Sequence, residues 1–145
     1  MAKKITPPTI YESLASVILP EGILNLFEVT NVSTEHTGII EETGLERTII
    51  HIELRERDLR EKECQELKPN GFTEAKLIND FPIRDHKVVL HVFRRRWTDA
   101  DGHNITLPHE DLTAPDTRYS KEFADVLKKI FGYLPNTGPL SGAIL

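Results

Sequence analysis

The run Lys87-Val-Val-Leu-His-Val-Phe-Arg-Arg-Arg-Trp97 constrains the fold more than any other stretch of the chain. In a strand, alternate side chains share a face. One face therefore carries Val88, Leu90, Val92, Arg94 and Arg96, and the other Val89, His91, Phe93, Arg95 and Trp97. Both faces begin apolar and end basic, so the strand must leave a core and reach the surface near Arg94. Three consecutive arginines then radiate beside an indole. Guanidinium groups suit phosphate oxygens and an indole offers a stacking surface, which together point to nucleic acid. Two other placements remain open on chemistry alone. The arginines could pair with acidic residues elsewhere while Trp97 packs inside, or they could meet a protein partner.

The rest of the chain supplies a mixed set of elements. Ile10, Leu14, Val17 and Ile18 recur at three and four residues, one apolar stripe of a helix. After Pro20 and Gly22, Ile23, Leu24, Leu26 and Phe27 predict a second short helix running into Glu28-Val29. Thr48 to Leu54 reads as a strand with Ile50, Ile52 and Leu54 on its buried face. Arg55 to Pro69 is charged and is expected as loop or short helix, and Phe72 to Phe81 as another strand. Pro82 to His86 and Asp99 to Asn104 read as turns around the Lys87–Trp97 strand, which suggests an antiparallel meander. Phe123, Val126, Leu127, Ile130 and Phe131 mark one face of a C-terminal helix. Ser120 stands at its N-cap, Lys128 and Lys129 near its C-terminal end, and Gly132 and Pro135 stop it. The expectation is a single α+β domain over residues 1–135: N-terminal helices, a small antiparallel sheet and a C-terminal amphipathic helix. A flexible tail is expected at 136–145.

Composition narrows the class. The 145 residues are 39% hydrophobic and 28% charged, a globular balance. No apolar run is long enough to cross a membrane. No signal-peptide core follows the basic start at Lys3 and Lys4, and one cysteine, Cys64, excludes an internal disulfide; both fit a cytoplasmic protein. Net charge is −5, from 18 basic and 23 acidic residues, but the charge is segregated. Glu41 to Glu66 holds nine acids against five bases, whereas Arg84 to Arg96 holds five bases against Asp85 alone. Segregation of this kind can give a local positive field on an acidic protein.

Sites for chemistry are missing from the pattern. Asp99 and Asp101 could hold a cation, but a turn accounts for them. Cys64 sits among Glu61, Glu63 and Glu66, which disfavour a thiolate. Gly38, Gly44 and Gly71 stand singly, so no phosphate-binding glycine loop is present. The chain does not read as an enzyme, and no cofactor is expected.

Several motifs taken together resemble a known family. They are Leu19-Pro20-Glu21-Gly22-Ile23-Leu24, Phe27-Glu28-Val29, Ile50-His51-Ile52, Gly71-Phe72, Asp80-Phe81-Pro82-Ile83-Arg84, Val88-Val89-Leu90-His91 and Arg94-Arg95-Arg96-Trp97. In this order they resemble the N-terminal region of the ISAon group of insertion-sequence transposases, over roughly Leu19 to Ile130. Related ISL-type transposases carry a zinc ribbon here, with a basic strand between two paired-cysteine knuckles and a capped helix after it. Asp80-Phe81-Pro82, Val88 to Arg96 and Ser120-Lys121-Glu122-Phe123 look like those landmarks. Neither Cys-x-x-Cys is present, and the histidines, His103 and His109 included, do not restore tetrahedral spacing. The resemblance thus implies a zinc-ribbon-like hairpin without metal. It also implies a non-catalytic region that recognises transposon ends, with Arg84, Lys87, Arg94, Arg95, Arg96 and Trp97 as the DNA-binding candidates. The alternative is a protein-interaction subunit that docks a separately encoded catalytic transposase chain.

Overall fold

The computed structural model describes residues 9–132, and the tail expected at 136–145 lies outside them. Along the chain run α1 (Ile10–Ile18), α2 (Ile23–Leu26), β1 (Phe27–Ile40), β2 (Glu46–Glu56), a 3-10 turn at Lys62–Cys64, β3 (Lys68–Phe72), β4 (Lys76–Ile83), β5 (His86–Phe93), β6 (Arg95–Thr98), β7 (Asn104–Ile105) and α3 (Lys121–Phe131). This is mixed α and β structure in two sheets. The larger has strand order β1-β2-β5-β4 and the smaller β3-β6-β7.

The expected antiparallel meander is only part of the larger sheet. β4 and β5 form a hairpin closed by the two-residue turn Arg84-Asp85, with Ile83 opposite His86. So tight a connection needs a left-handed residue, and Arg84 takes it at φ 55°. β2, however, joins β5 in parallel, with Ile50 opposite Val88 and Leu54 opposite Val92. The charged segment from Arg57 onward acts as the crossover that parallel pairing requires. The second helix ends at Leu26, short of the expected Glu28-Val29, and β1, which follows from Phe27, was not foreseen as a strand. It is an antiparallel edge partner of β2 with bulges after Val29 and His36, and only its first residue, Phe27, is buried.

Alternation places Ile52 and Leu54 of β2, Val88, Leu90 and Val92 of β5, and Ile78 of β4 on one face. Leu19, Ile23 and Phe27 close over them, so the turn between the two N-terminal helices lids the core. α3 builds a second cluster from Phe123, Ala124 and Leu127 with Tyr119, Ala114 and Phe81. Its apolar face is shorter than its periodicity suggests, because Ile130 remains 62% exposed. Ser120 is the N-cap residue, but its hydroxyl does not cap. It donates instead to the buried Asp80 carboxylate at 2.7 Å, tying the helix start to β4. Gly132, at φ 75°, ends the helix in the left-handed conformation.

Candidate nucleic-acid interface

The basic strand is divided. β5 lies in the large sheet, β6 in the small one, and Arg94 stands between them. The facing chain breaks at the same level: Thr73 N–H donates to the Arg94 carbonyl at 2.8 Å, and Arg94 N–H donates to Thr73 Oγ1 at 3.1 Å. β3–β4 and β5–β6 are thus one long hairpin, bent where it passes from one sheet to the other. The core ends at this bend, as the pattern of the strand requires.

What the bend encloses is a carboxylate. Glu56, the last residue of β2, is fully buried. Arg94 Nε donates to its Oε2 at 3.1 Å, and the Arg95 backbone N–H donates to Oε1 at 3.2 Å. The Arg95 side chain donates through Nε to the Glu56 carbonyl at 2.8 Å. His109 Nε2 also lies 3.1 Å from Oε2, within charge-pairing range though outside hydrogen-bonding geometry. The Arg94 guanidinium further donates to the Leu107 carbonyl, which holds the segment after β7 against the bend. Two of the three arginines therefore bind the molecule to itself, through an acid within the Glu41–Glu66 run.

The aromatic surfaces are occupied as well. Trp97 is 1% exposed, and the Arg60 guanidinium covers its ring at 4.5 Å. Arg60 is itself held by Asp58, whose carboxyl it keeps below the usual carboxylate range through their hydrogen bond. Arg55 lies over both Phe72 and Phe93, and Arg95 over Phe72. No base could stack on Trp97 without displacing Arg60 and opening the small sheet, so its expected role as an open platform is corrected.

The remaining candidates stand apart. Lys87 is half-buried, and burial, with the nearby Arg47 charge, lowers its pKa to about 8. Arg96 is exposed on β6, with its Nη2 above the backbone of Gly71 on β3. Arg84 is exposed at the hairpin turn. Twelve residues separate these two arginines, roughly 40 Å along an extended strand, so they cannot grip a single phosphate. Glu56, Arg55 and Arg60 were not singled out from the sequence, and His109 was weighed there as a metal ligand, not as a neighbour of Glu56. Glu56 carried a signal nonetheless: it continues the Ile52, Leu54 alternation, and an acid on a buried face requires cationic partners.

Asp99, Asp101 and His103 bring ligand atoms within 4.8 Å of one another. Their geometry is that of the expected turn. Asp99 Oδ1 accepts the backbone N–H groups of Asp101 at 3.0 Å and His103 at 2.8 Å, and these bonds strengthen its acidity. Among the described residues no helix is long and apolar enough to cross a membrane. Comparison with known protein families, with curated proteins and with solved structures finds no match.

Proposed function

We propose that the chain is a non-catalytic accessory region of an insertion-sequence transposase, and that its main contact is with the catalytic transposase chain. The internal use of the arginine cluster carries this reading. Arg94 and Arg95 are committed to Glu56 and Trp97 is covered, so the strongest DNA signal in the sequence is spent on the fold. The bent hairpin would then correspond to the zinc ribbon of the related transposases, with the Glu56 cluster and the Trp97 core standing where metal would otherwise join the strands. The exposed faces of α1 and of the β1–β2 arm are apolar and acidic. Ile10, Leu14 and Val17 of α1 are at least 57% exposed, and the β1–β2 arm carries Glu28, Glu35, Glu42 and Glu46. A transposase catalytic chain must present cationic surface to hold DNA, which complements that acidic arm.

Recognition of transposon ends by this chain itself is the second reading. Arg84 and Arg96 favour it, being exposed with no side-chain ion pair or hydrogen bond to another described residue. Counterion release separates the two, because DNA affinity falls steeply with salt whereas an apolar protein interface responds far less. The test is a fluorescence-anisotropy titration on a terminal-repeat duplex and a scrambled one at several salt concentrations, beside co-purification with the co-expressed catalytic chain. Docking predicts no salt-steep DNA binding by the isolated chain, and a co-purification abolished by Leu14→Glu. Steep binding to the duplexes, with no capture of the catalytic chain, would replace docking by the DNA reading.

A further inference from the structure

On the face of the large sheet opposite the core, three adjacent strands bring Glu35, His51 and His91 together. β2 and β5 pair in parallel with Glu53 opposite His91 and His51 opposite Val89. His51, Glu53 and His91 thus project from the face opposite Ile52, Leu54, Leu90 and Val92. His51 Nδ1 lies 2.7 Å from His91 Nε2, and His51 Nε2 lies 2.7 Å from a Glu35 carboxylate oxygen. An ionised carboxylate can only accept, so Nε2 of His51 holds the proton and a neutral ring turns its Nδ1 lone pair toward His91. The His91 Nε2–H then donates to it, so two imidazole nitrogens already sit in contact. The far nitrogen of one is already held by a carboxylate, the outer-shell contact that orients metal-ligating histidines and raises their basicity.

We propose that His51 Nδ1 and His91 Nε2 bind a divalent transition-metal ion of the zinc or nickel class, with water completing its coordination, and that Glu35 supports His51 from behind; Glu53, beside them, is held by Arg55 at 2.9 Å. Imidazole ligands suit these ions. Metal–nitrogen bonds of about 2.0–2.1 Å at tetrahedral angles place the two nitrogens roughly 3.3 Å apart. Binding therefore parts the two nitrogens by about 0.6 Å and turns the rings so that both lone pairs meet the ion. As Nε2 of His91 takes up the metal its proton moves to Nδ1, so a neutral ring remains neutral. The His51 side chain is 20% exposed and that of Glu35 49%, leaving an entry path and room for water as further ligands. This site is independent of the cysteine knuckles and of the proposed transposase role.

The experiment uses the full chain, stripped with a chelator and titrated with Zn²⁺ by calorimetry and with Co²⁺ by visible absorption. One ion should bind per chain. His51→Gln and His91→Gln should each weaken binding by tenfold or more, and Glu35→Gln by about tenfold. His103→Gln, in the Asp99 turn, should leave it unchanged. Histidine ¹⁵N NMR of the wild type gives a readout that does not depend on variants folding: added Zn²⁺ should shift Nδ1 of His51 and Nε2 of His91. No heat or spectral change up to about 1 mM metal overturns the proposal. So does binding that survives both histidine variants or is lost with His103→Gln.

Discussion

Replacing Glu56 by glutamine tests whether the arginines serve the fold. The substitution keeps the shape of the side chain and removes its charge. In the wild type the carboxylate is fully buried, accepts from Arg94 Nε and the Arg95 N–H, and lies near His109 Nε2. Hydrogen bonds to charged groups are worth about 1.5–3 kcal/mol each, and removing one side of a buried ion pair costs about 3–5 kcal/mol. The Arg94 side chain retains 28% exposure, so its guanidinium can turn partly to water and the cost falls toward the lower end, about 3 kcal/mol. Against a typical stability of about 5–15 kcal/mol this is a large loss. With a urea slope of about 1–3 kcal/mol per molar, the unfolding midpoint should drop by roughly 1–3 M. A double-mutant cycle with Arg94→Ala assigns the effect: the pair should show a coupling of at least about 1 kcal/mol. A Glu56→Gln midpoint equal to wild type, or additive single effects, would refute the reasoning and free the arginines for another ligand.

Three further outcomes follow from the same geometry. Leu127→Ala should cost roughly 2–5 kcal/mol by chemical denaturation, as truncation of a fully buried leucine does, whereas Ile130→Ala should change stability by no more than about 0.5 kcal/mol; equal effects would mean that α3 docks differently. If the chain binds duplex DNA, Arg84→Ala and Arg96→Ala should each lower the slope of log affinity against log salt by about 0.9 without unfolding the protein. An unchanged slope in both would remove the last exposed candidates. Asp80 should give a pH-dependent stability of opposite sign to an ordinary ion-paired carboxylate. Burial raises its pKa above 3.8, against the opposing Ser120 hydrogen bond, so its folded form holds a proton more tightly than its unfolded form. Its favourable contribution is full below about 3.8 and is lost as pH rises through the folded value. Asp80→Asn should therefore gain most over wild type at neutral pH, with the gain shrinking toward pH 4; thermal denaturation in which the gain grows as pH falls would reverse the assignment.

These outcomes bear on how much the sequence discloses. Strands with one buried face were legible: Ile50, Ile52 and Leu54 mark β2, and Val88, Leu90 and Val92 mark β5. The C-terminal helix was legible from Phe123 and Leu127. β1 was not, because an edge strand with both faces largely in solvent has no reason to alternate; Asn31, Ser33 and Glu35 carry no apolar pattern. Parallel pairing of β2 with β5 was hidden because each strand borders an antiparallel neighbour too, so its pattern fits either direction. The arginines were the least legible in role. Periodicity shows that Arg94 leaves the core, but not which acid waits there, since Glu56 is 38 residues away. The same alternation nevertheless placed Glu56 on the buried face of β2. A buried carboxylate at the end of one strand and a basic break in the strand paired with it are two halves of one requirement: each charge is costly to bury alone, and the register that brings Arg55 opposite Phe93 brings Glu56 level with Arg94. The arginine run therefore reads first as the counter-charge to an acid on the neighbouring strand. Of the arginines in this hairpin, Arg96, one step beyond the pair, and Arg84, at its opposite end, are the two left exposed.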